Sequence, residues 1–495
     1  MRKIAEVEKL RLKFAGEESL LFKDISISIQ SGEKVLFLGP SGCGKSTLLQ
    51  VLTGLIPTSI QVPVKFESIV IPESWGYVFQ DPDTQFCMPF VDEELAFVLE
   101  NLGVDREQMP GLISDYLQQV GLYLDDAHTP IRALSQGMKQ RLAIASILAL
   151  TPEVLFLDEP TALLDPKGTE EVWETIRTVS RDKTVIIVEH KIDQIIDFID
   201  RIILFDNNGR IIAEGSKDEI FQTYQAELIE YGIWYPNVWD VYLRRKTTQQ
   251  LLVNREVKKE VMIELKSFHG LRGKIPKITI EDSLVRRGEW IGVVGENGAG
   301  KSTLLLSLMQ LVKTDGVYKL DGSLVTKKTN LGNEIGFVFQ NPEFQFITNT
   351  VYEELAYSLR LMGENEATIS LKVQHCLAMF GLLEKQNQHP YQLSMGQKRR
   401  LSVATAIMKD QKVLLLDEPT FGQDAKNTFA LLELIEEIRQ KGTTIIMVTH
   451  DLHILAHFTT KVWLISKGKL VQDLHPDLYM SQLKIGTEME ETVWS

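Results

Sequence analysis

An α/β chain made of one domain built twice is what this sequence predicts, and three observations predict it. Short apolar runs such as KVLFLG and VLFLD alternate with helix-patterned stretches, as buried parallel strands joined by crossover helices do. A glycine-rich loop, GPSGCGKST at 39–47, lies between one such run and a helical stretch. That loop returns as GENGAGKST at 295–303, and the later landmarks follow in the same order.

The repeat is extensive. VFQDPDTQF (78–86) returns as VFQNPEFQF (338–346), LSQGMKQRL (134–142) as LSMGQKRRL (393–401), VLFLDEPT (154–161) as VLLLDEPT (413–420), and His190 as His450. The spacing stays close to 260 residues throughout. A solenoid would repeat every few tens of residues, so this is a duplicated domain. The reading places the first domain at 1–230, a connector at 231–260 and the second domain at 261–495. The aromatics of IEYGIWYPNVWD predict a packed connection, and the following RRKTTQQLLVNREVKKE reads as a polar connector.

A chain of 495 residues exceeds one typical domain. With 44% hydrophobic and 24% charged residues it has the composition of a globular protein with ample core. The formal net charge of -14 disfavours a nucleic-acid partner, since phosphate backbones repel an acidic surface. Cys43, Cys87 and Cys376 show no paired spacing, so neither a zinc or iron–sulfur motif nor a disulfide framework is expected. The N-terminal MRKIAEVEKLRLKF lacks the apolar core of a signal peptide. No apolar run reaches about 18 residues. The expectation is a protein in the cytoplasm, with any membrane association made through a partner.

The pattern G-x-x-x-x-G-K-[ST] between a strand and a helix is a phosphate cradle. Gly39, Gly42 and Gly44 free the backbone to wrap phosphates, and the helix N-terminus adds its positive dipole end. Lys45 is expected on the β- and γ-phosphates of ATP and Ser46 on Mg²⁺, with Ser41, Cys43 and Thr47 completing the loop. Gly295, Asn297, Gly298, Ala299, Gly300, Lys301, Ser302 and Thr303 take those parts in the second half. With glycine at about 7% of residues, one chance match in a chain this long has a probability of roughly 2%. Two matches at equivalent places leave chance far behind.

Each acidic strand ends in two carboxylates. Asp158 and Asp417 are expected to hold Mg²⁺, and Glu159 and Glu418 to polarise the attacking water as general bases. Such a pair is commonly just a solvated turn; the phosphate loop beside it decides for catalysis. His190 and His450 end further apolar strands, where a lone histidine is usually structural. Their recurrence at the repeat spacing points instead to contact with the γ-phosphate.

LSQGM and LSMGQ each open a helix shortly before the acidic strand, and they resemble the LSGGQ signature of ABC ATPases. The resemblance covers nearly the whole chain. It implies two tandem ABC-type P-loop NTPase domains, each with a mainly parallel sheet core plus a helical subdomain. In that family the signature serine and glycine bind the γ-phosphate held by the opposite domain. Carried over, Ser394 and Gly396 complete the site built on Lys45, and Ser135 and Gly137 the site built on Lys301. Gln80 and Gln340 match the family's Q loop, between Mg²⁺ and the transmembrane partner. The family's base-stacking aromatic corresponds to Phe14 and Phe268. Departures are Gln136 and Met395 at the signature's third position, Met138 at its fifth, and ALLD and FGQD where the family has SALD. No residue of direct chemistry is missing, so two hydrolytic sites are expected.

The wider context, FQ-[DN]-P-x-x-Q-F followed by VDEELAFVLENLG (91–103) and VYEELAYSLRLMG (351–363), is similar to the ATPases of energy-coupling factor (ECF) importers. That implies an integral-membrane coupling (T) component and a small substrate-binding (S) component as partners. It also implies a vitamin or vitamin-precursor cargo, with thiamine or hydroxymethylpyrimidine by analogy. The acidic run Asp92-Glu93-Glu94, repeated as Glu353-Glu354, reads both as a landing place for a partner's basic residues and as a solvated helix start. A fused sugar-importer ATPase has the same tandem length but usually a degenerate second phosphate loop, which here is intact. Ribosome-acting relatives carry a long charged helical linker or an N-terminal cysteine cluster, neither of which is present. Cys43, inside the first phosphate loop, predicts selective block of that site by thiol reagents.

Overall fold

The computed structural model describes residues 2–14, 19–40, 42–162, 164–245, 248 and 257–483. Two compact units divide the chain between Val238 and Trp239, with the short stretch Asp424–Lys426 grouped with the first.

In the first unit the apolar runs become the central strands of a six-stranded sheet. Its order is Ile211–Gly215, Arg201–Phe205, Lys34–Leu38, Thr184–Val188, Val154–Asp158 and Trp75–Val78. Every pairing is parallel except that of the Ile211–Gly215 edge strand. Strands in the middle of such a sheet are covered on both faces, which is why Val154–Leu157 and Thr184–Val188 are buried at every position. A smaller antiparallel sheet pairs Lys3–Leu12 with Phe22–Gln30, Val64–Lys65 and Ser68–Val70. The helix Lys45–Leu52 puts Leu48, Leu49, Val51 and Leu52 into a core shared by both sheets. Each such leucine contributes about 2 kcal/mol of burial.

Between Trp75–Val78 and Val154–Asp158 the chain makes a helical subdomain of Val91–Asn101, Met109–Gln119 and Gln136–Leu148. The acidic residues that open the first of these helices do not all face outward. Glu94 is 3% exposed and accepts the backbone N–H groups of Cys87 and Met88 at 2.9 and 2.8 Å. Glu354 repeats the arrangement, taking N–H groups from Ile347 and Thr348. These two carboxylates fold the preceding loop and offer nothing to a partner. Asp92 lies 3.1 Å from His128, and Glu353 pairs with Arg360.

The second unit repeats the plan, with its two sheets joined edge to edge. Ten strands run in one order, the antiparallel part meeting the parallel part where Thr279 pairs with Lys469. Trp290–Val294, Thr444–Val448, Val413–Asp417 and Ile335–Val338 form the parallel core. Val351–Leu361, Glu366–Met379 and Met395–Ile407 form the helical subdomain. The connector is packed where its aromatics lie: Tyr242 stacks on Phe429 with centroids 3.9 Å apart, and Trp239 stacks on His453 at 5.0 Å. Most of its polar end, at 246–247 and 249–256, lies outside the described residues.

Because Tyr242 is 1% exposed, Tyr242→Ala should destabilise the second unit by about 3–5 kcal/mol. Limited proteolysis checks this: the second half should be cut well before the first, and equal survival of both halves would contradict the packing.

Candidate functional site

Each glycine-rich loop links a buried strand to a helix, and glycine is needed where that turn is tightest. Gly44 (φ 102°) and Gly300 (φ 109°) precede the helices Lys45–Leu52 and Lys301–Leu308 in the left-handed region. A Cβ on Gly44 would stand 2.8 Å from the Phe22 ring, and one on Gly300 2.9 Å from the Lys277 carbonyl. Lys45 then folds back over its loop, its Nζ donating to the carbonyls of Gly39 at 2.7 Å and Pro40 at 2.9 Å. Lys301 does the same with Gly295 and Glu296, at 2.7 and 3.0 Å. Gly42, Thr47, Gly298, Asn297, Ala299 and Thr303 occupy these loops and the first helical turns; Ser41 lies outside the described residues.

The acidic strands end beside the lysines. Ser46 Oγ donates to Asp158 Oδ1 at 2.7 Å, and Tyr77 O–H donates to Oδ2 at 2.8 Å. Burial pushes the Asp158 carboxyl up, against those two donors. Asp417, bonded by Ser302, is pushed by burial up to about 6. A serine hydroxyl beside a carboxylate is a pair of hard oxygen donors, the type Mg²⁺ takes alongside waters and phosphate oxygens, so the residues present fit that ion.

Glu159 and Glu418 stand one residue beyond the strands with φ of 49° and 48°. A left-handed backbone at a non-glycine residue is costly and clusters at functional positions. It is held here by the Glu159 N–H bonding Val188 O at 2.8 Å and the Glu418 N–H bonding Val448 O at 3.1 Å. Each carboxylate sits between a glutamine and a histidine. Gln80 Nε2 donates to Glu159 at 2.9 Å and His190 Nε2 is 2.9 Å away. Gln340 donates to Glu418 at 3.1 Å. His450 Nε2 stands 3.1 Å from Glu418, close enough for an ion pair but not aligned for a hydrogen bond. Burial alone would raise these carboxyls; the neighbouring histidine and lysine outweigh it and hold both below their ordinary value. Carboxylates kept ionised and partly buried in this way can accept a proton from a water.

Phe14, Gly42, Gly44, Lys45, Ser46, Thr47, Glu159 and His190 together line one cleft of about 490 Å³. Phe14 is 39% exposed there and can present a ring face. Phe268 cannot: it is 1% exposed, in the core, with its ring edge-on to Tyr318 at 5.7 Å. Strand alternation turns this residue inward, so the stacking assignment for Phe268 is corrected. The Cys43 thiol is 1% exposed and burial raises its pKa. A thiolate is the reactive form, so the expected block by thiol reagents does not follow either.

Ser135 and Ser394 cap the N-termini of Gln136–Leu148 and Met395–Ile407, their hydroxyls accepting the N–H groups of Met138 and Gln397 at 3.3 Å. Gln397 returns a bond to the Ser394 N–H at 3.0 Å, a reciprocal cap that Met138 cannot make. Gly137 and Gly396 lie in the first turns, half-buried.

Sequence reasoning missed several participants. Tyr77 holds Asp158. Glu189 is buried, bonds the Thr161 hydroxyl and accepts the His190 N–H at 3.0 Å. Gln140 and Arg399 anchor to the carbonyls of Phe79 and Phe339. Comparing the halves position by position was the available signal: Tyr77 faces Phe337, Gln140 faces Arg399 and Glu189 faces Thr449 at the repeat spacing.

A family model described as ABC transporter matches residues 22–162 and 282–421. The chain is similar to the putative HMP/thiamine import ATP-binding protein YkoD of Bacillus subtilis (strain 168), at 38% identity over 96% of this chain and 92% of that protein. It is also 33% identical to a putative ABC transporter ATP-binding protein of Streptococcus pneumoniae serotype 4, over 99% of this chain and 94% of that protein. Among solved structures, the archaeal ribosome recycling factor aABCE1, in complex with the stalk protein aP1, covers 97% of this chain with a TM-score of 0.65 at 18% identity. That is a likeness of fold alone.

Glu189 gives the first site a pH signature. Burial lifts its carboxyl from 4.5 to about 7, so between those values the folded chain holds a proton that the unfolded chain has lost. Stability is therefore greatest at the acid end of that window and falls as pH rises through about 7, by up to roughly 3 kcal/mol. Glu189→Gln should raise the thermal midpoint relative to wild type at pH 8 and change it little at pH 5. Equal midpoint differences at both pH values would contradict the buried acid.

Proposed function

Because the chain belongs to the ATP-binding proteins of the ABC transporter family, we propose that its two halves are the paired hydrolytic sites of an ECF-type importer. The chain binds ATP and is an ATPase coupled to transport, as its family is. The observation that carries the site reading is the repeated Gln–Glu–His group. Glu159 between Gln80 and His190, and Glu418 between Gln340 and His450, each lie one residue from an acid bonded to a phosphate-loop serine.

In each half the loop N–H groups and Lys45 or Lys301 bind the β- and γ-phosphates. Ser46 with Asp158, and Ser302 with Asp417, would hold Mg²⁺, which would supply positive charge against the phosphate oxygens. Glu159 and Glu418 take the proton of the attacking water, and His190 and His450 hold the γ-phosphate edge of the site. Phe14 stacks on the base in the first site. Ser394 with Gly396, and Ser135 with Gly137, are assigned to complete the γ-phosphate contacts from the opposite half. The assignment of 1–230 and 261–495 as the two catalytic domains goes with this reading.

Membrane coupling is supported by the surface beside the second Q loop. Phe344 (76% exposed), Ile347 (65%) and Leu361 (70%) leave apolar side chains in solvent on the helical subdomain. An exposed apolar group of this kind marks an interaction surface. At the repeat spacing the first half has Thr84, Cys87 and Asn101, so the stronger docking face belongs to the second half. None of the described helices is long and apolar enough to cross a membrane, so a T component supplies the path and an S component the cargo site. The chain works at the cytoplasmic face. Thiamine or hydroxymethylpyrimidine is the cargo suggested by the name of the Bacillus subtilis relative.

Glu159→Gln and Glu418→Gln each remove a general base while keeping the shape of the side chain. Together they should lower ATP hydrolysis at least 100-fold and abolish uptake of labelled hydroxymethylpyrimidine by cells expressing the importer, with ATP binding retained. Hydrolysis undiminished in the double variant would refute the site assignment. Hydrolysis lost with uptake intact would refute the transport assignment.

A further inference from the structure

The two sites share their reacting groups but not the shell behind them. In the first half Gln140, 1% exposed, donates from Nε2 to the Phe79 carbonyl at 3.2 Å. In the second half Arg399, 3% exposed, donates from Nη1 to the Phe339 carbonyl at 2.8 Å. The tether is the same and the charge is not. Arg399 Nε has no hydrogen-bond partner. The carbonyl that Nη1 holds belongs to the residue before Gln340, whose amide bonds Glu418 at 3.1 Å. The guanidinium thus lies behind the Glu418–Asp417 pair, whose charge acts on it. A buried cation bonded only to a neutral carbonyl is expensive unless it stands in the field of opposite charge. That field here is the pair of carboxylates on which catalysis depends.

The shell differs again on the other side of the acid. Asp158 receives Tyr77 O–H as well as Ser46 Oγ, fixing both its oxygens. Phe337, at the repeat position of Tyr77, has no hydroxyl to give Asp417. The first site thus presents an oriented carboxylate with no extra positive charge behind it. The second presents a less tethered carboxylate with a buried guanidinium in the shell behind it.

We propose that Arg399 is a positioning residue that stands in for part of the divalent cation's charge, so that the second site binds Mg²⁺ more weakly than the first. The inference rests on the reading above that Ser46 with Asp158, and Ser302 with Asp417, are the Mg²⁺ pairs. Its consequence is order: at limiting Mg²⁺ the first half loads metal–nucleotide before the second, and the second releases its metal first.

The test is a Mn²⁺ titration of the full chain, followed by electron paramagnetic resonance in the presence of a non-hydrolysable ATP analogue. Wild type should show two classes of bound Mn²⁺, separated by roughly tenfold in affinity, the scale of outer-shell effects on metal sites. Arg399→Gln should tighten the weaker class by roughly tenfold and bring the two together. Arg399→Lys, which keeps the charge, should preserve the weak class, and Gln140→Arg should weaken the tight one. Two equal classes in wild type would overturn the proposal. So would an Arg399→Gln variant whose Mn²⁺ classes are unchanged. Absence of any nucleotide-dependent Mn²⁺ signal, with the analogue bound, would instead strike at the Mg²⁺ pairs themselves and take this inference with it.

Discussion

One carboxylate in each half organises everything around it. Glu159 and Glu418 stand just past the ends of central strands, in a left-handed backbone, between a glutamine from the neighbouring edge strand's loop and a histidine from the next strand. That arrangement needs the parallel sheet. Parallel strands deliver their C-terminal ends to one side, so the loops after Lys34–Leu38, Trp75–Val78, Val154–Asp158 and Thr184–Val188 converge there. The apolar strands exist to hold these loops in register. The lysine, serine, acid and histidine are then neighbours by topology, although they are spread over more than a hundred residues of sequence.

What was legible in the sequence follows the same division. Buried parallel strands read as unbroken apolar runs, and phosphate loops are local in sequence, so both could be placed without a structure. Repetition at a constant spacing singled out His190 and His450, and the family resemblance Gln80 and Gln340, but neither signal pointed to the contacts these side chains make with Glu159 and Glu418. Side-chain direction was not legible. Phe14 and Phe268 both lie about 25–30 residues before a phosphate loop, yet Phe14, just past the strand Lys3–Leu12, lines the cleft and Phe268, within the strand Val261–Arg272, turns into the core. Glu94 and Glu354 likewise look like solvated helix-start acids, and only three-dimensional structure shows them folding back onto the N–H groups of the preceding loop.

Duplication followed by divergence explains the remaining differences. The residues assigned to the reaction are kept in both halves, while those packed around them have changed: Tyr77 against Phe337, Gln140 against Arg399, Glu189 against Thr449. The helix cap at the signature also differs, reciprocal at Ser394 and one-sided at Ser135. So does the apolar face beside the Q loop, which is larger in the second half, where Phe344, Ile347 and Leu361 are added to it. Two sites with one chemistry and different surroundings suit an engine whose halves take unequal parts in a cycle.

The measurement that bears most directly on this account is recovery of the tagged chain from its own cell's membranes in mild detergent, with identification of the proteins that accompany it. The account predicts an integral-membrane coupling protein together with a small membrane protein carrying the cargo. Recovery of the chain alone, or with ribosomal proteins, would contradict the assignment to a membrane importer.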